Sequence, residues 1–584
     1  MANKRILDVV DSPADLKLLT DDELSILARE IREQIITTTS KTGGHVASSL
    51  GAVEIILAVH SLLNCPEDKF IFDVGHQSYA HKLVTGRRDR FDTLRTFHGI
   101  SGFPKPSESE YDVHASGHAS DSLSVAVGLA KARALSGGTN KIVALIGDAA
   151  LGGGMAFEAL NYIGQAQLPM VIILNDNEMS ISRNVGALMK HLGYLRTSSS
   201  YRTTRDRVQE AMEQSGALGS ALMHFGRNAK ESMKQFVIPH SMIFEQLGTV
   251  CTTPVDGHNI HELKEMLSTC LAADGPVLMH VVTKKGAGYG PAMAEPTRFH
   301  GTGPYDIATG KAIKKPAKAP SYTSVFGEAL LNEARADARI VAITAAMESG
   351  TGLTGFEKEF PDRFIDVGIC EENAAGMAAG LAIGGRKPVF AVYSTFLQRA
   401  IDQLIVNNAL MNLDVVFAID RAGLVGADGP THHGMFDLVY TRMVPNMRVL
   451  APSNEAELVN SLHTALVLGG PFAVRYPRGE ACGVPVPDKP ETYEPGVSRL
   501  VREGSDVAIL AFGNMVAPAN EAAAALEGEG LSVRVVDMRW VKPLDVEAIR
   551  RAAETRLVVT VEDGVIEGGV GEEVLAELAR QDAK

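Results

Sequence analysis

The stretch KIVALIGDAALGGGMAFEALNYIGQAQLPMVIILNDNEM (141–179) decides the fold of this chain. It opens with the apolar run 141–148, continues through an amphipathic segment at 154–166, and closes with a second apolar run at 170–176. Continuous runs rich in Val and Ile are typical of strands buried on both faces of a parallel sheet. The stretch therefore predicts a strand–helix–strand unit with parallel strands.

The same alternation continues along the chain. A helical segment is predicted at 326–337, and further strands are predicted at 339–345, 388–394, 414–420, 506–513, 532–538 and 556–563. This pattern indicates an α/β protein with mainly parallel sheets flanked by helices.

Two breaks in the pattern divide the chain. The segment 311–322 is rich in Lys, Pro and Ala and predicts a linker, and a second break runs through 484–498. With 584 residues the chain is long enough for several domains, and we expect three, at 1–310, 323–483 and 492–584. The stretch 185–240 is more polar and is interpreted as an insertion into the first domain, with no role indicated by its sequence.

Bulk composition excludes some classes of function. The net charge of -14 argues against a general nucleic-acid binder. The five cysteines have no paired spacing, which favours idle thiols in a reducing compartment over a disulfide framework. The sequence contains neither a signal-peptide pattern nor a long apolar run, so no membrane association is expected and the cytoplasm is the predicted location.

Polar residues follow both strands of the deciding stretch. Asp148 comes at the end of the first strand and Asn177 after the second, so both are expected at the carboxyl edge of the sheet, where ligands bind in α/β proteins. A carboxylate, a carboxamide oxygen and the backbone carbonyl of Met179 would suit Mg²⁺, with diphosphate and water completing the shell. The alternative is a buried strand-end Asp and a turn Asn without function. The glycines at 152–154 favour an anion at the following helix start.

Twelve segments, in order over nearly the whole chain, resemble the 1-deoxy-D-xylulose-5-phosphate synthase family. They are GGHVASSLGAVE (43–54), FDVGHQSYAHKLVTGR (72–87), SGHASDSLS (116–124), GDAALGGGMAFEALN (147–161), ILNDNEMSIS (173–182), PVDGHN (254–259), TKKGAGYG (283–290), VGICEENAAGMAAGLA (367–382), YSTFLQRAIDQ (393–403), IDRAGLVGADGPTHHGMFDL (419–438), RYPRGE (475–480) and RWVKPLD (539–545).

The resemblance implies a transketolase-like fold that binds thiamine diphosphate and Mg²⁺. The first domain would hold the diphosphate and the metal, the second the aminopyrimidine, and the third would be the transketolase C-terminal domain. It further implies a homodimeric transferase that decarboxylates pyruvate and transfers the two-carbon unit to D-glyceraldehyde 3-phosphate, giving 1-deoxy-D-xylulose 5-phosphate and CO₂. This product would feed isoprenoid, thiamine and pyridoxal synthesis.

The resemblance also implies roles for individual residues. Glu371, chosen over Glu372, would bind the aminopyrimidine, and the other catalytic residues would be His45, His300, Asp428 and His432. Arg421 and Arg478 would bind the substrate phosphate, with Arg399 as a weaker third candidate. Asp148, Asn177 and Met179 would bind the metal. The cofactor-binding residues would be His76, Gly117, His118, Gly147, Asp148, Ala149, Ala150, Asn177, Ile181, Lys284, Tyr393 and Phe396.

The sequence departs from the family pattern at several positions. Ala149 and Ala287 stand where a glycine and an arginine are usual, and Ala119 and Asp121 change the GHSSTS pattern to GHASDS. If position 149 requires a positive φ, Ala149 would cost about 1 kcal/mol of strain, and Asp121 would bring a negative charge towards the diphosphate. The resemblance also implies a further strand and helices beyond Lys584.

Two alternatives remain open from the sequence. One is a transketolase-type enzyme that moves a ketol unit between sugar phosphates, and the other is a catalytically degraded paralogue. The context of Arg421 and the joint presence of the predicted catalytic residues favour the synthase.

Overall fold

The computed structural model describes residues 5–179, 185–188, 192–193, 242–313 and 316–581. The chain forms two compact units, Met1–Lys314 and Lys315–Lys584, and their boundary falls within the predicted linker. Ile181 and nearly all of the predicted insertion lie outside the described residues. No helix in the described part is long and apolar enough to span a membrane.

The first unit is built around a parallel sheet. Its described strands run in the order β1–β2–β3–β6–β4, and β5 also pairs with β6. They are β1 (Lys69–Phe72), β2 (Ile142–Gly147), β3 (Met170–Asp176), β4 (Val250–Cys251), β5 (Val255–Asp256) and β6 (Pro276–Val282). The helices are α1 (Pro13–Leu16), α2 (Asp21–Thr42), α3 (Val46–Gly51), α4 (Val53–Leu62), α5 (Tyr79–Lys82), α6 (Ser122–Leu135), α7 (Asp148–Leu151), α8 (Gly154–Ala166), α9 (Met242–Gln246), α10 (Ile260–Leu271) and α11 (Gly290–Ala294).

The deciding stretch forms the predicted strand–helix–strand unit. Strands β2 and β3 pair in parallel with Gly147 opposite Asn175, and both are almost fully buried. Helix α8 coincides with the predicted helical segment. It packs closely at Gly164, where an added Cβ would collide with the Leu247 carbonyl oxygen. The prediction of a parallel, fully buried strand pair is confirmed.

The second unit contains two sheets. In the described part, one runs β16–β11–β12–β10–β9–β7–β8 and the other β13–β15–β14–β17. The strands are β7 (Ile340–Thr344), β8 (Phe364–Asp366), β9 (Lys387–Tyr393), β10 (Val416–Ala422), β11 (Arg448–Leu450), β12 (Phe472–Pro477), β13 (Arg499–Arg502), β14 (Val507–Ala511), β15 (Val533–Asp537), β16 (Trp540–Lys542) and β17 (Leu557–Val561). The helices are α12 (Tyr322–Ala336), α13 (Thr354–Glu359), α14 (Glu371–Ile383), α15 (Ser394–Leu397), α16 (Ile401–Gln403), α17 (Asp437–Met443), α18 (Glu455–Leu468), α19 (Val516–Gly528), α20 (Val546–Ala552) and α21 (Val570–Arg580).

Strand β16 joins the two halves of the second unit. It lies in the segment predicted as the third domain, yet it pairs antiparallel with β11 of the larger sheet. Trp540 on this strand is fully buried and belongs to the same apolar core as Phe472 and Tyr476. Residues beyond 492 therefore complete a sheet that residues 323–483 begin.

Candidate active site

In the first unit, the predicted site residues follow neighbouring strands. His76 follows β1, Asp148 follows β2, Asn177 follows β3 and Lys284 follows β6. Because these strands are parallel and adjacent, their carboxyl ends meet at one edge of the sheet. This edge is where open α/β sheets bind ligands.

The predicted metal ligands Asp148 and Asn177 lie together. Asp148 is 2% exposed, and its Oδ2 accepts hydrogen bonds from the backbone N–H groups of Asn177 (3.3 Å) and Glu178 (2.8 Å). Asn177 Oδ1 accepts from the N–H of Met179 at 3.1 Å. Carboxylate and carboxamide oxygens are among the oxygen ligands that Mg²⁺ prefers in proteins.

Three predicted histidines form a cluster beside this edge. The segments before α3 and around His300 pair through Gly44 and Thr302, which brings His45 and His300 close together. The ring centroid of His76 lies 5.9 Å from that of His45 and 5.1 Å from that of His300. Burial lowers the pKa of His76 and of His300 well below the usual value, so both rings are neutral at pH 7.

A tyrosine without a predicted role orients His45. The His45 N–H donates to Tyr79 Oη at 3.0 Å, and Tyr79 Oη also lies 3.4 Å from His45 Nδ1. Tyr79 is fully buried, so this contact is fixed by packing.

Lys285, rather than the predicted Lys284, extends into the cluster. Lys285 is 7% exposed and its Nζ lies 3.1 Å from His300 Nδ1. Burial lowers the pKa of Lys285 to about 8, although Asp148 opposes the shift. Lys284 is exposed. Two adjacent lysines after a strand buried on both faces carry no pattern that distinguishes them, so no local signal could have identified Lys285.

The predicted loop at Gly117 and His118 lies against the start of α7. Ser120 Oγ donates to the Ala150 carbonyl oxygen at 2.7 Å, and Ser120 N–H donates to the buried carboxylate of Asp73. Gly117 has φ +151°, a conformation that favours glycine. This loop and Ala150 therefore form one surface.

The departures from the family pattern cause no backbone strain. Ala149 lies within helix α7 without a positive φ, so the expected strain at this position is absent. Asp121 precedes α6, and its Oδ2 lies 3.9 Å from His114 Nε2. Ala119 and Ala287 are both buried.

In the second unit, predicted residues again follow neighbouring strands. Arg478 follows β12, Arg421 lies at the end of β10, Tyr393 ends β9, and Glu371 comes after β8. These strands are parallel, so their carboxyl ends also share one edge.

Glu371 is a buried carboxyl group at the first position of α14. Burial raises its pKa to about 7, and the nearby Arg399 only partly opposes this. Glu371 Oε2 lies 3.8 Å from Arg399 Nη1 and has no hydrogen-bond partner among the described residues. Glu372 is only partly buried, which agrees with the choice of Glu371.

Aromatic rings line the same edge. Tyr393 and Phe396 stack with centroids 5.6 Å apart, and Phe396 meets the His432 ring edge-on at 5.6 Å. Tyr393 Oη donates to the Gly350 carbonyl oxygen at 3.2 Å. The Thr431 hydroxyl contacts His432 Nδ1 at 3.0 Å, which fixes the ring orientation.

The predicted phosphate-binding arginines divide between two places. The Arg421 guanidinium lies 3.9 Å above the Tyr393 ring, and Arg478 Nη1 lies 3.7 Å from Asp428 Oδ2. Arg421 and Arg478 both act electrostatically on Tyr393. Arg399 instead lies beside Glu371, with its Nη1 3.8 Å from the carboxyl oxygen Oε2.

Three family models match the chain in order. They are 1-deoxy-D-xylulose-5-phosphate synthase over residues 7–283, the transketolase pyrimidine binding domain over 318–483, and the transketolase C-terminal domain over 496–584. The predicted transketolase-like fold is thereby confirmed.

Curated relatives match nearly the whole chain. The 1-deoxy-D-xylulose-5-phosphate synthase of Syntrophomonas wolfei is 50% identical over 567 residues, covering 97% of this chain and 88% of the relative. 1-Deoxy-D-xylulose-5-phosphate synthase 2 of Geobacter sulfurreducens is 52% identical over 577 residues, covering 98% and 92%. The synthase of Heliobacterium modesticaldum is 50% identical over 572 residues, covering 98% and 88%. The chain belongs to the 1-deoxy-D-xylulose-5-phosphate synthase family.

Proposed function

We propose that this protein is a transferase that decarboxylates pyruvate and joins the two-carbon unit to D-glyceraldehyde 3-phosphate, giving 1-deoxy-D-xylulose 5-phosphate and CO₂. The names of its relatives support the reaction. The observation that carries the proposal is Glu371, a buried carboxyl group with a pKa of about 7 and an oxygen that lacks a partner among the described residues.

Two buried polar atoms fit thiamine diphosphate as the cofactor. Glu371 Oε2 and His76 Nδ1 have no hydrogen-bond partner among the described residues, although buried polar atoms normally have one. A carboxyl group that holds its proton near neutral pH suits a ring nitrogen such as N1′ of the aminopyrimidine. Asp148, Asn177 and Met179 would hold Mg²⁺, and Lys285 would neutralise a diphosphate oxygen.

The cofactor, when bound, supplies the electron sink that accepts the electrons released as pyruvate loses CO₂. The residues of the chain would bind and orient the cofactor and the substrates. Glu371 holds a proton at its carboxyl oxygen, and the stacked rings of Tyr393 and Phe396 offer an apolar surface for a flat heterocycle. Gly117, His118, Gly147, Ala149 and Ala150 offer backbone at the diphosphate end.

The histidines would move protons at the reacting carbons. Imidazole nitrogens and carboxylates can accept and donate protons near neutral pH. The imidazoles would come from His45 and His300 in the first unit and His432 in the second, and the carboxylate from Asp428. His300 is neutral at pH 7, because burial lowers its pKa, so it can accept a proton. Arg421 and Arg478 would bind the phosphate of the aldehyde by charge-assisted hydrogen bonds.

The test is an assay of purified protein with thiamine diphosphate, Mg²⁺ and pyruvate, with and without D-glyceraldehyde 3-phosphate. We expect CO₂ release that depends on the triose phosphate, together with formation of the pentulose phosphate. In a parallel assay with a ketose phosphate in place of pyruvate, ketol transfer without CO₂ release would support the transketolase-type alternative. Absence of both reactions would support the degraded paralogue.

Several finer points belong to the same proposal. The three-domain division at 1–310, 323–483 and 492–584, the homodimer, the cytoplasmic location and the supply of isoprenoid, thiamine and pyridoxal synthesis remain predictions. Sedimentation of the purified protein would test the homodimer.

A further inference from the structure

The motifs GGHVASSLGAVE and PVDGHN meet in a buried cluster to which the proposed reaction assigns no role. Glu54 on α4 is 6% exposed, and its two oxygens pair with both terminal nitrogens of Arg32 at 2.6 Å. Glu54 Oε2 also lies 3.1 Å from His258 Nδ1. Burial alone would raise the pKa of Glu54, but His258 and Arg32 outweigh it and hold the pKa below its usual value. Glu54 is therefore a carboxylate at neutral pH.

The hydrogen bonds fix the tautomer of His258. The backbone N–H of Lys284 donates to His258 Nε2 at 2.9 Å, so Nε2 must be the acceptor. The single ring proton then lies on Nδ1 and is donated to Glu54. Two hydrogen bonds of His258 thus link the buried carboxylate of Glu54 to the backbone of Lys284.

Arg32 holds the same loop at a second point. Its Nε donates to the Ala287 carbonyl oxygen at 3.0 Å, and its Nη2 donates to the Leu50 carbonyl oxygen at 3.0 Å. Leu50 lies on α3, the helix that follows His45. The loop between these two points contains Lys285, whose Nζ lies 3.1 Å from His300 Nδ1.

We propose that the buried pair of Glu54 and Arg32, together with the partly exposed His258, forms a clamp that positions Lys285 for the diphosphate end of the cofactor. His258 and Glu54 are positioning residues, since they reach the site through the backbone of Lys284. The identity of the anion rests on the function proposed above, whereas the clamp itself is a property of the protein without ligand.

Substitutions of His258 can remove one of its two hydrogen bonds while keeping the other. His258→Asn keeps a donor near Glu54 and loses the acceptor for the Lys284 N–H, whereas His258→Gln extends an oxygen to that N–H. Glu54 variants are less suitable, because they would leave Arg32 as a buried unpaired charge. His261→Asn is the matched control, since His261 lies three residues further along and its side chain is 61% exposed.

The first measurement is hydrogen exchange of the peptide 283–289 in the protein without ligand. We expect faster exchange in His258→Asn, wild-type protection in His261→Asn, and partial restoration in His258→Gln. Unchanged exchange in His258→Asn would overturn the clamp. This measurement decides the point even if the protein does not bind thiamine diphosphate, in which case only the proposed function fails.

The second measurement is calorimetric titration of thiamine diphosphate at fixed Mg²⁺. We expect roughly 10- to 100-fold weaker binding by His258→Asn, with His258→Gln closer to wild type. Wild-type affinity in His258→Asn, together with faster exchange, would mean that the hydrogen bond serves the loop alone, and would overturn the positioning role. An unchanged melting temperature would confirm that the variants are folded.

Discussion

At the scale of single residues, burial raises the pKa of Glu371 above that of a surface glutamate. Its pKa in the folded protein is about 7, compared with a usual 4.5. Such a group contributes fully to stability below pH 4.5, and this contribution is lost as the pH rises through 7. The ionised carboxylate then costs about 3 kcal/mol.

Glu371→Gln should therefore stabilise the protein without cofactor while removing its activity. We expect a higher melting temperature than wild type at pH 8, a difference that shrinks towards pH 5, and turnover at least about 100-fold lower. Thermal unfolding at both pH values and the CO₂ assay measure these effects. Glu372→Gln, at a partly exposed neighbour, is the control. Equal melting temperatures at pH 8 would contradict the assigned burial cost.

Arg421 and Arg478 allow a test of phosphate recognition. Removing either guanidinium should raise KM for D-glyceraldehyde 3-phosphate by roughly 10- to 100-fold, because each charge-assisted hydrogen bond contributes about 1.5–3 kcal/mol. KM for unphosphorylated glyceraldehyde should change much less. Steady-state kinetics of Arg421→Ala and Arg478→Ala with both aldehydes measure this difference. Equal losses with both substrates would assign the arginines to another role.

The sequence could indicate single residues only where family motifs are unambiguous. The motif separated Glu371 from Glu372, and the burial of Glu371 agrees with that choice. It could not separate Lys284 from Lys285, because the choice depends on which side chain the loop turns towards His300. The motif places Arg399 with the phosphate-binding arginines, whereas its ion pair with Glu371 depends on a contact with α14 that no local pattern reveals.

At the scale of elements, a buried polar network ties the segment before the Gly117 loop to α5. Asp112 accepts hydrogen bonds from His81 Nε2 at 2.8 Å, from Arg87 Nη1 at 2.6 Å and from the Lys105 N–H at 2.7 Å. Burial would raise the pKa of Asp112, but the hydrogen bonds of His81 and Arg87 hold it well below its usual range. Asp112 is therefore ionised at neutral pH.

Asp112→Asn should destabilise the first unit by about 3 kcal/mol, since the buried Arg87 would lose its nearest carboxylate and keep only the longer contact to Glu108 Oε2 at 3.9 Å. We expect a lower melting temperature at pH 7. Asp92→Asn changes an exposed acid of the same region and should have little effect. Similar melting temperatures for the two variants would show that the network contributes little.

Strand prediction succeeded where the apolar run was continuous. All eight predicted strands are present, as β2, β3, β7, β9, β10, β14, β15 and β17. The short strands β1, β4, β5, β8, β11, β13 and β16 were not predicted. The longer central strands β6 and β12 were not predicted either, because each carries a buried charged or polar residue that interrupts the pattern. His280 on β6 pairs with Asp176 at 2.8 Å, and Arg475 on β12 pairs with Asp437 at 2.7 Å. Their partners are distant in sequence, so only the fold explains their burial.

At the scale of the whole molecule, binding of the cofactor should increase the free energy of unfolding. A ligand that binds only the folded protein stabilises it by about 2.7 kcal/mol at 100 times its Kd. We expect thiamine diphosphate with Mg²⁺ to raise the melting temperature, EDTA to abolish the increase, and Asp148→Asn to lack most of it. Asp362→Asn, at an exposed acid, should respond as wild type. A full shift in Asp148→Asn would argue against its role as a metal ligand.

The position of β16 has a consequence for synthesis on the ribosome. Strand β12 ends at Pro477 and β16 ends at Lys542, which lies 542 − 477 = 65 positions further along the chain. At roughly 5–20 residues per second, translation needs about 3–13 s to cover that distance. During this interval the nascent chain carries β11 without its antiparallel neighbour, and the pocket for Trp540 has no occupant. A nascent chain arrested between these points should therefore expose an unpaired strand edge, and chaperone capture should be strongest in that window and end once residue 542 has left the ribosome.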